Sequence, residues 1–508
     1  MAGTDFLASH AESLPNKPAV ILGDQTLEFA TLNRRANRAA HVFESLGCKA
    51  GDRVALMSFN SIAGFEIANG VRRSGTVVVP VNYRLRGPEI AYLLNDSGAK
   101  VVVAGPDHVD AVAAAQTVVT GDRRFIAIGD RKPEGWLSYR ALMDSASDTP
   151  PPDPAGDGLL ASMIYTSGTT GHPKGAWRPN GVNLANVLQV ISIFELSQSD
   201  VHLLCGPGYH SAVAFFSTLH QLLGATVVVQ PKFAADDALD LIQRHRVSTT
   251  FMAPTLLQRL VDAQLERPRD VSSLRALILG AAPCPYELKV RAEAVFGKVV
   301  WEFYGATETG INTVLRPEDQ MRKPGSCGTA VPGQEIRLVG ADGSEVPDGE
   351  PGEFMVRNTW LAEYYNRPDA TGKSLHDGFF SVGDVAYRDT EGYYYICDRR
   401  IDMIISGGVN IYPAEIEAVL HAHPAVMDAA VVGVPDPQWG ESVKAVVQLR
   451  AGATATEEEL IAFCAERLAG YKKPRSIDFT AELPRDAAGK LLKRTIREPY
   501  WASSGRRI

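Results

Sequence analysis

The sequence offers no cysteine framework. Its six cysteines, Cys48, Cys205, Cys284, Cys327, Cys397 and Cys464, are widely spaced, with no C-x-x-C pair and no histidine cluster beside them. That spacing suggests neither a disulfide scaffold nor a zinc site, and it fits a reducing compartment. An apolar run long enough to span a bilayer is also missing. Residues 1–15 carry Asp5 and Glu12 and show neither the basic nor the apolar stretch of a secretory leader, so none is expected. Positive charge is in deficit: 51 Lys+Arg against 59 Asp+Glu leave a net charge of -8, which argues against a nucleic-acid partner. There is no internal repeat and no extended low-complexity tract. These absences predict a cytoplasmic protein without a transmembrane segment, able to hold small anions locally.

What the chain does have is length and apolar content. At 508 residues, 45% of them hydrophobic, it exceeds one ordinary core, and two or more domains are expected. Residues 19–22, Gly23-Asp24 and 26–29 read as strand, tight turn and strand. Residues 31–46 then place Leu32, Ala36, Ala39, Ala40, Val42 and Phe43 at helical spacing. Strands and helices go on alternating to about residue 104 and again over 181–252, divided by short Gly/Asp turns, which predicts a helix-covered parallel sheet. Residues 1 to about 150 read as scaffold, with no visible chemistry. Near residue 330 the texture changes to short strands and turns, a β-rich subdomain. After 399–401 a compact βααβ-like tail is expected. The prediction is an α/β protein, with a large N-terminal domain of helix-covered parallel sheets plus a β-rich subdomain over 1–400. A small α+β C-terminal domain follows over 401–508.

The most informative stretch is Ile164-Tyr165-Thr166-Ser167-Gly168-Thr169-Thr170-Gly171-His172-Pro173-Lys174-Gly175. Alternating hydroxyls and glycines let the backbone curl with its N–H groups inward, and Lys174 adds a cation, which together suit a polyphosphate. It follows an apolar run at 159–164 readable as a buried strand, so the loop leaves a sheet edge where α/β folds place ligands. It is not a Walker A loop: the glycine-to-lysine spacing differs, and Gly175 stands where that motif has Ser/Thr.

This run resembles the phosphate-loop signature of the adenylate-forming superfamily, the acyl-CoA synthetase and AMP-dependent synthetase and ligase family. Further motifs in the same order extend the resemblance over nearly the whole chain. Trp301-Glu302-Phe303-Tyr304-Gly305-Ala306-Thr307-Glu308-Thr309-Gly310 joins aromatics, a glycine turn and a carboxylate. Glu308 suits Mg²⁺ on the phosphates, Tyr304 suits stacking on adenine, and small Gly305 and Ala306 leave room for an acyl group. The resemblance implies the same roles. It gives a nucleotide set of Thr166, Ser167, Gly168, Thr169, Thr170, Lys174, Glu302, Phe303, Tyr304, Gly305, Thr307 and Ile396, with Thr166 beside Glu308 at the metal. Gly280-Ala281-Ala282-Pro283 resembles the small-residue turn against adenine and acyl chain, which adds Ala281 and Ala282 to the nucleotide and Gly280 and Ala281 to the acyl pocket. Gly383-Asp384 with Asp398-Arg399 resembles the ribose-binding pair. A carboxylate accepts hydrogen bonds from both vicinal hydroxyls, which suits Asp384, and Arg399 can reach sugar or phosphate.

In the tail, Pro484 to Arg494 is similar to the family's catalytic-lysine motif. Lys472, Lys473, Lys493 and Arg494 crowd the region and the residues alone do not single one out. The resemblance implies Lys490, bridging the substrate carboxylate and the α-phosphate oxygen. It also implies that the small domain is mobile, that Gly407 and Gly408 form part of a pantetheine tunnel, and that Lys444 meets CoA phosphates. Gly206-Pro207-Gly208-Tyr209-His210-Ser211-Ala212 resembles the segment bordering the acyl site. Tyr209 and His210 would line it, His210 as a gate or catalytic group, with Val331 beside them. The glycines flanking Pro207 are expected to widen the pocket, which predicts a bulky hydrophobic acid: polycyclic, aromatic or medium-to-long-chain. Three positions depart from the family pattern, namely Ile401 at the hinge, Val409 after the paired glycines and Val382 before Gly-Asp.

The resemblance implies an ATP-dependent carboxylic acid–CoA ligase that uses ATP, Mg²⁺ and CoA and proceeds through an acyl-AMP. Ile401 motivates an alternative, an amide-bond synthetase or carrier-protein acyl transfer from the same adenylate. A nonenzymatic nucleotide-binding protein is the third reading, opposed by the intact Lys174, Glu308, Asp384 and Lys490. The oligomeric state is left open, a homodimer among the options.

Overall fold

The computed structural model describes residues 5–151, 161–166, 173–179, 181–399, 402–406, 409–436, 438–485 and 491–502. Among these the strands form three sheets. The first contains the expected parallel run: Pro18–Leu22, Thr226–Val229, Val201–Leu204, Thr249–Met252, Ala276–Leu279 and Val300–Ala306 lie side by side. Strands such as TVVV and ALIL are buried along their whole length, so they read as short continuous apolar runs and not as alternations.

The β-rich section is present but does not stand apart. Gly310–Leu315 folds back antiparallel on Val300–Ala306 and pairs with Gly328–Ala330. Tyr393–Arg399, Phe379–Arg388, Gly352–Arg357 and Glu335–Val339 follow in order, so one sheet continues as an antiparallel extension.

The second sheet has Arg53–Met57 between Val77–Pro80 and Val101–Ala104, all parallel. Ser162–Thr166 joins Val77–Pro80 in parallel, and Lys174–Arg178 then runs antiparallel to it, with Thr166 opposite Lys174. The strands flanking the phosphate-loop sequence are therefore hairpin partners, a different setting from the strand-to-helix turn of a Walker A loop. Ser167, Gly168, Thr169 and Thr170 lie outside the described residues.

The third sheet comprises Ile404–Ser406, Val409–Ile411, Val426–Asp436, Gly440–Leu449 and Ser476–Phe479. It shares a core of Ile404, Ile416, Leu420, Val431 and Leu460 with helices Pro413–His421 and Glu457–Ala465. The tail is richer in strands than the βααβ expectation. Gly433 and Pro435 both lie inside the long hairpin Val426–Asp436/Gly440–Leu449, Pro435 next to its tip.

Inside the first sheet's core, the rings of His202 and His220 stack with centroids 4.1 Å apart. Thr249 Oγ1 lies 2.8 Å from His220 Nε2 and 3.0 Å from His202 Nδ1, while His220 Nδ1 is 2.7 Å from the Phe216 carbonyl. A carbonyl only accepts, so His220 Nδ1 carries the proton, the Thr249 hydroxyl donates to Nε2, and its oxygen accepts from His202 Nδ1–H. Burial lowers His220 to about 4 against the opposing Phe216 carbonyl. Burial, aided by the His220 ring, holds His202 well below its ordinary value. Because the unfolded chain binds these protons more readily, the pair's stabilisation is complete above about pH 6.5 and is lost as pH falls toward 4. For His220 alone this is on the order of 3 kcal/mol. We expect Tm to fall steadily over this range, and His220→Gln to flatten the slope. An equally steep fall in the variant would remove the pair as its cause.

Candidate functional site

The sheets face a common cleft of ≈ 3000 Å³, to which the third-sheet unit contributes Glu417, His421, Asp428 and Arg485. Small-ligand sites usually measure roughly 300–1,000 Å³, so this cleft has room for several ligands.

Glu308, 6% exposed, sits on the turn after Val300–Ala306. Its Oε1 accepts hydrogen bonds from Thr166 Oγ1 at 3.1 Å and Tyr364 Oη at 3.0 Å. Lys174 Nζ stands 4.9 Å from the Tyr364 ring centroid. Residues expected at phosphate and metal thus converge from both large sheets. Tyr364 was not anticipated, and neither was Arg178. Arg178 Nη2 donates to the Thr307 carbonyl and Nε to the Trp360 carbonyl, each at 2.9 Å, tying strand Lys174–Arg178 to the Glu308 turn. Burial lowers this guanidinium to about 10, although Glu308 pulls the other way.

On the nucleotide side, Tyr304 Oη donates to Asp384 Oδ2 at 2.6 Å, so the ring expected against adenine is anchored by the carboxylate expected at ribose. Asp384 lies opposite Arg399 in the sheet, and Ile396 lines the cleft. Ala281 and Ala282 line it as well, and Ala281 has φ +72°, a left-handed conformation that strains a residue with a Cβ.

Glu302 departs from a simple nucleotide contact, because its carboxylate pairs with Lys289 and both are buried. Burial alone would lower Lys289, but the Glu302 carboxylate outweighs it and holds the ammonium above its ordinary value. Phe303, expected at the nucleotide, has its ring in an apolar floor, with the centroids of Phe216 and Phe251 at 6.0 and 5.9 Å. Gly280 presses on that ring, where a Cβ would stand 2.9 Å away.

The acyl side is joined to the Glu308 turn by Ser211 Oγ, 3.2 Å from Thr307 Oγ1, at the start of helix Ser211–Leu222. Tyr209, His210 and Ala306 line the cleft beside it, whereas Val331, 5% exposed, is packed in the core and is not among the lining residues. Asn60, from the stretch read as scaffold, holds the preceding loop. Its Nδ2 donates to the Gly206 and Gln230 carbonyls at 2.8 and 2.9 Å, and its Oδ1 accepts from Gly208 N–H at 2.8 Å. A Cβ on Gly208 would stand 2.7 Å from Asn60 Oδ1, and one on Gly206 2.9 Å from Val213, so these glycines permit close packing and do not widen the pocket. Gly305 has a similar explanation: a Cβ there would lie 2.0 Å from the Gly310 carbonyl oxygen, so its smallness closes the hairpin. Gly305→Ala should therefore destabilise the protein by about 1–3 kcal/mol, read from the urea midpoint. An unchanged midpoint with altered acid preference would restore the pocket-room explanation.

Residues 7–366 match the family model described as AMP-binding enzyme, and residues 415–490 the one described as AMP-binding enzyme C-terminal domain. The chain belongs to the AMP-binding enzyme family. It is 39% identical over 495 residues to feruloyl-CoA synthase from an Amycolatopsis species, covering 96% of this chain and 97% of that protein. It is 34% identical over 512 residues to the fatty acid–[acyl-carrier-protein] ligase ScoC of Streptomyces coeruleorubidus, covering 98% and 96%. The crystal structure of ATP-bound MatB from Rhodopseudomonas palustris is similar with a TM-score of 0.88 at 31% identity, covering 100% of both chains.

In the C-terminal part of this AMP-binding enzyme, Lys490, Gly407, Gly408 and Ile401 lie outside the described residues. The flanks of the Lys490 segment are firmly held. Arg485 pairs with Asp428, which also sits 3.2 Å from His421 Nε2, while Lys493 Nζ is 3.0 Å from Glu417 Oε1. A β-bridge joins Arg485 to Leu491. Lys444 departs from its expected place at CoA phosphates: its ammonium is 2.7 Å from Asp478 and 3.1 Å from Ser476 Oγ, and it is not among the cleft-lining residues. The alternating side chains of strand Gly440–Leu449 turn it toward its own domain's partners.

Proposed function

We propose that this AMP-binding enzyme is an ATP-dependent carboxylic acid–CoA ligase. A carboxylate oxygen attacks the α-phosphorus of ATP, the bond to the β-phosphate breaks, and pyrophosphate leaves. CoA thiolate then attacks the acyl carbon and AMP departs. The observation that carries this reading is the meeting of Thr166, Lys174 and Glu308 in one cleft with the Tyr304–Asp384 pair and the apolar floor around Phe303. The feruloyl-CoA synthase likeness supports CoA as acceptor.

The donor set fits Mg²⁺. Among the described residues no group of three or more His, Cys, Asp or Glu side chains could form a protein cage, and Mg²⁺ typically takes one or two carboxylates plus phosphates and water. Bound there, it would neutralise phosphate charge. Glu308 would hold it, with Thr166 and Tyr364 fixing that carboxylate's orientation. Asp384 would take the ribose hydroxyls, Tyr304 the adenine face, and Lys490 the charge that develops as the carboxylate meets phosphorus. We read residues 1–400 as the adenylating part and 401–508 as the part that moves between half-reactions. Gly407 and Gly408 would then lie along the pantetheine. His210 and Tyr209 would border the acid, and the apolar floor around Phe303 would take its hydrophobic part.

A second reading, transfer to a carrier-protein thiol, draws on the ScoC likeness. Incubating the enzyme with ATP, an acid library and either CoA, a carrier protein or an amine, followed by mass analysis, separates the acceptors. Trapped acyl-AMP names the acid. Absence of acid-dependent pyrophosphate release across the library would reject the ligase reading.

A further inference from the structure

Helix Ser211–Leu222 turns one face to the cleft, with Ser211, Ala214, Phe215, Thr218 and Gln221 recurring every three to four residues. That stripe begins at the Thr307–Glu308 turn and runs about 15 Å away from it, at 1.5 Å rise per residue. Its near part is apolar. Its far end is polar, and Asn69 and Arg72 from the last turns of helix Ile62–Arg73 line the cleft opposite Gln221.

Asn69 Nδ2 donates to the Phe65 carbonyl at 2.8 Å and to Gln221 Oε1 at 3.4 Å, and Asn69 Oδ1 accepts from Arg72 Nη2 at 2.8 Å. This chain satisfies Asn69 and one atom of Gln221. Gln221 Nε2, in a residue only 9% exposed, is buried with two N–H donors and no acceptor among the described residues. Such a group ordinarily has a partner. Arg72 forms no ion pair among the described residues, whereas the adjacent Arg73 is fully engaged by Asp5, Asn33 and Asn37. Burial lowers the Arg72 guanidinium, with Asp5 opposing and the Arg73 charge adding to the shift; arginine side chains keep their charge in proteins.

Resting on the proposed acid-activating role, we infer that Arg72 and Gln221 form a distal subsite for an anionic or hydrogen-bond-accepting group at the far end of an elongated acid. A carboxylate suits it best: one oxygen accepts from the free Gln221 amide N–H groups, and the other from the guanidinium. The span of about 15 Å corresponds to about a dozen bonds of extended chain. The substrate class is therefore a long α,ω-dicarboxylic acid, with its first carboxylate at the Glu308 end and its second at Arg72.

The test compares dodecanedioic, ω-hydroxydodecanoic and dodecanoic acids in pyrophosphate release, alongside calorimetric binding of each acid. We expect the diacid to have the lowest KM and Arg72→Met to raise that KM about 10- to 100-fold, the range for losing a hydrogen bond to a charged group. With the same variant, dodecanoic acid should change less than about threefold. Gln221→Leu should weaken the diacid and the hydroxy acid together. A diacid no better than dodecanoic acid, or an equal effect of Arg72→Met on both, overturns the subsite. If no acid releases pyrophosphate, the ligase reading fails by itself. Calorimetry then still decides the subsite: diacid binding that Arg72→Met abolishes supports it, and no diacid binding removes it.

Discussion

Lys490→Ala should slow acyl-AMP formation about 10²–10³-fold, the scale for losing one transition-state electrostatic contact. Bringing a carboxylate onto the α-phosphate sets two anions together while negative charge builds on the phosphorus oxygens, and a positioned ammonium opposes both effects. In the described residues on either side of Lys490, Arg485 pairs with Asp428 and Lys493 with Glu417. The loss should be confined to the first half-reaction. Preformed acyl-AMP mixed with CoA should be consumed by the variant within about threefold of the wild-type rate, because no α-phosphate is attacked in that step. Equal losses in both half-reactions, measured by single-turnover quench, would contradict this assignment.

Glu308→Gln should lower pyrophosphate release by a comparable factor, about 10²–10³. The substitution keeps the size of the side chain and an amide oxygen that can still accept from Thr166 and Tyr364, so the turn should stay folded and Tm should move little. What is lost is the negative charge that would hold Mg²⁺ against the phosphates. Raising free Mg²⁺ should accordingly recover part of the activity of the variant and none of that lost in Lys490→Ala. A rate within about threefold of wild type at every Mg²⁺ concentration would reduce Glu308 to a turn residue.

Local patterns carried much of this into the sequence. The parallel strands could be placed because burial along their length makes them apolar runs that end at Gly or Asp turns. The residues that meet in the cleft at Glu308 and Asp384 could be singled out because hydroxyl, glycine and carboxylate residues sit within a few positions of each other. Contacts formed by distant segments were not legible. Tyr364 reaches Glu308 across 56 residues and Asn60 reaches Gly206 across 146. Nor does sequence tell whether a charged side chain is already taken: Glu302 looked available until Lys289 was placed beside it, and so did Lys444 until Asp478 was. Glycine was the most ambiguous letter. At Gly305 and Gly208 the missing side chain makes way for the protein's own atoms and not for a ligand.

The way Asn60 grips its loop bears on how readily such an enzyme changes what it accepts. Among the described residues its amide hydrogen-bonds to main-chain groups of Gly206, Gly208 and Gln230 and to no side chain. The wall that starts at Tyr209 can therefore be exchanged as a cassette, in the laboratory or by descent, provided a glycine stays at 208. Selectivity can drift while the hinge point of the wall remains where it was.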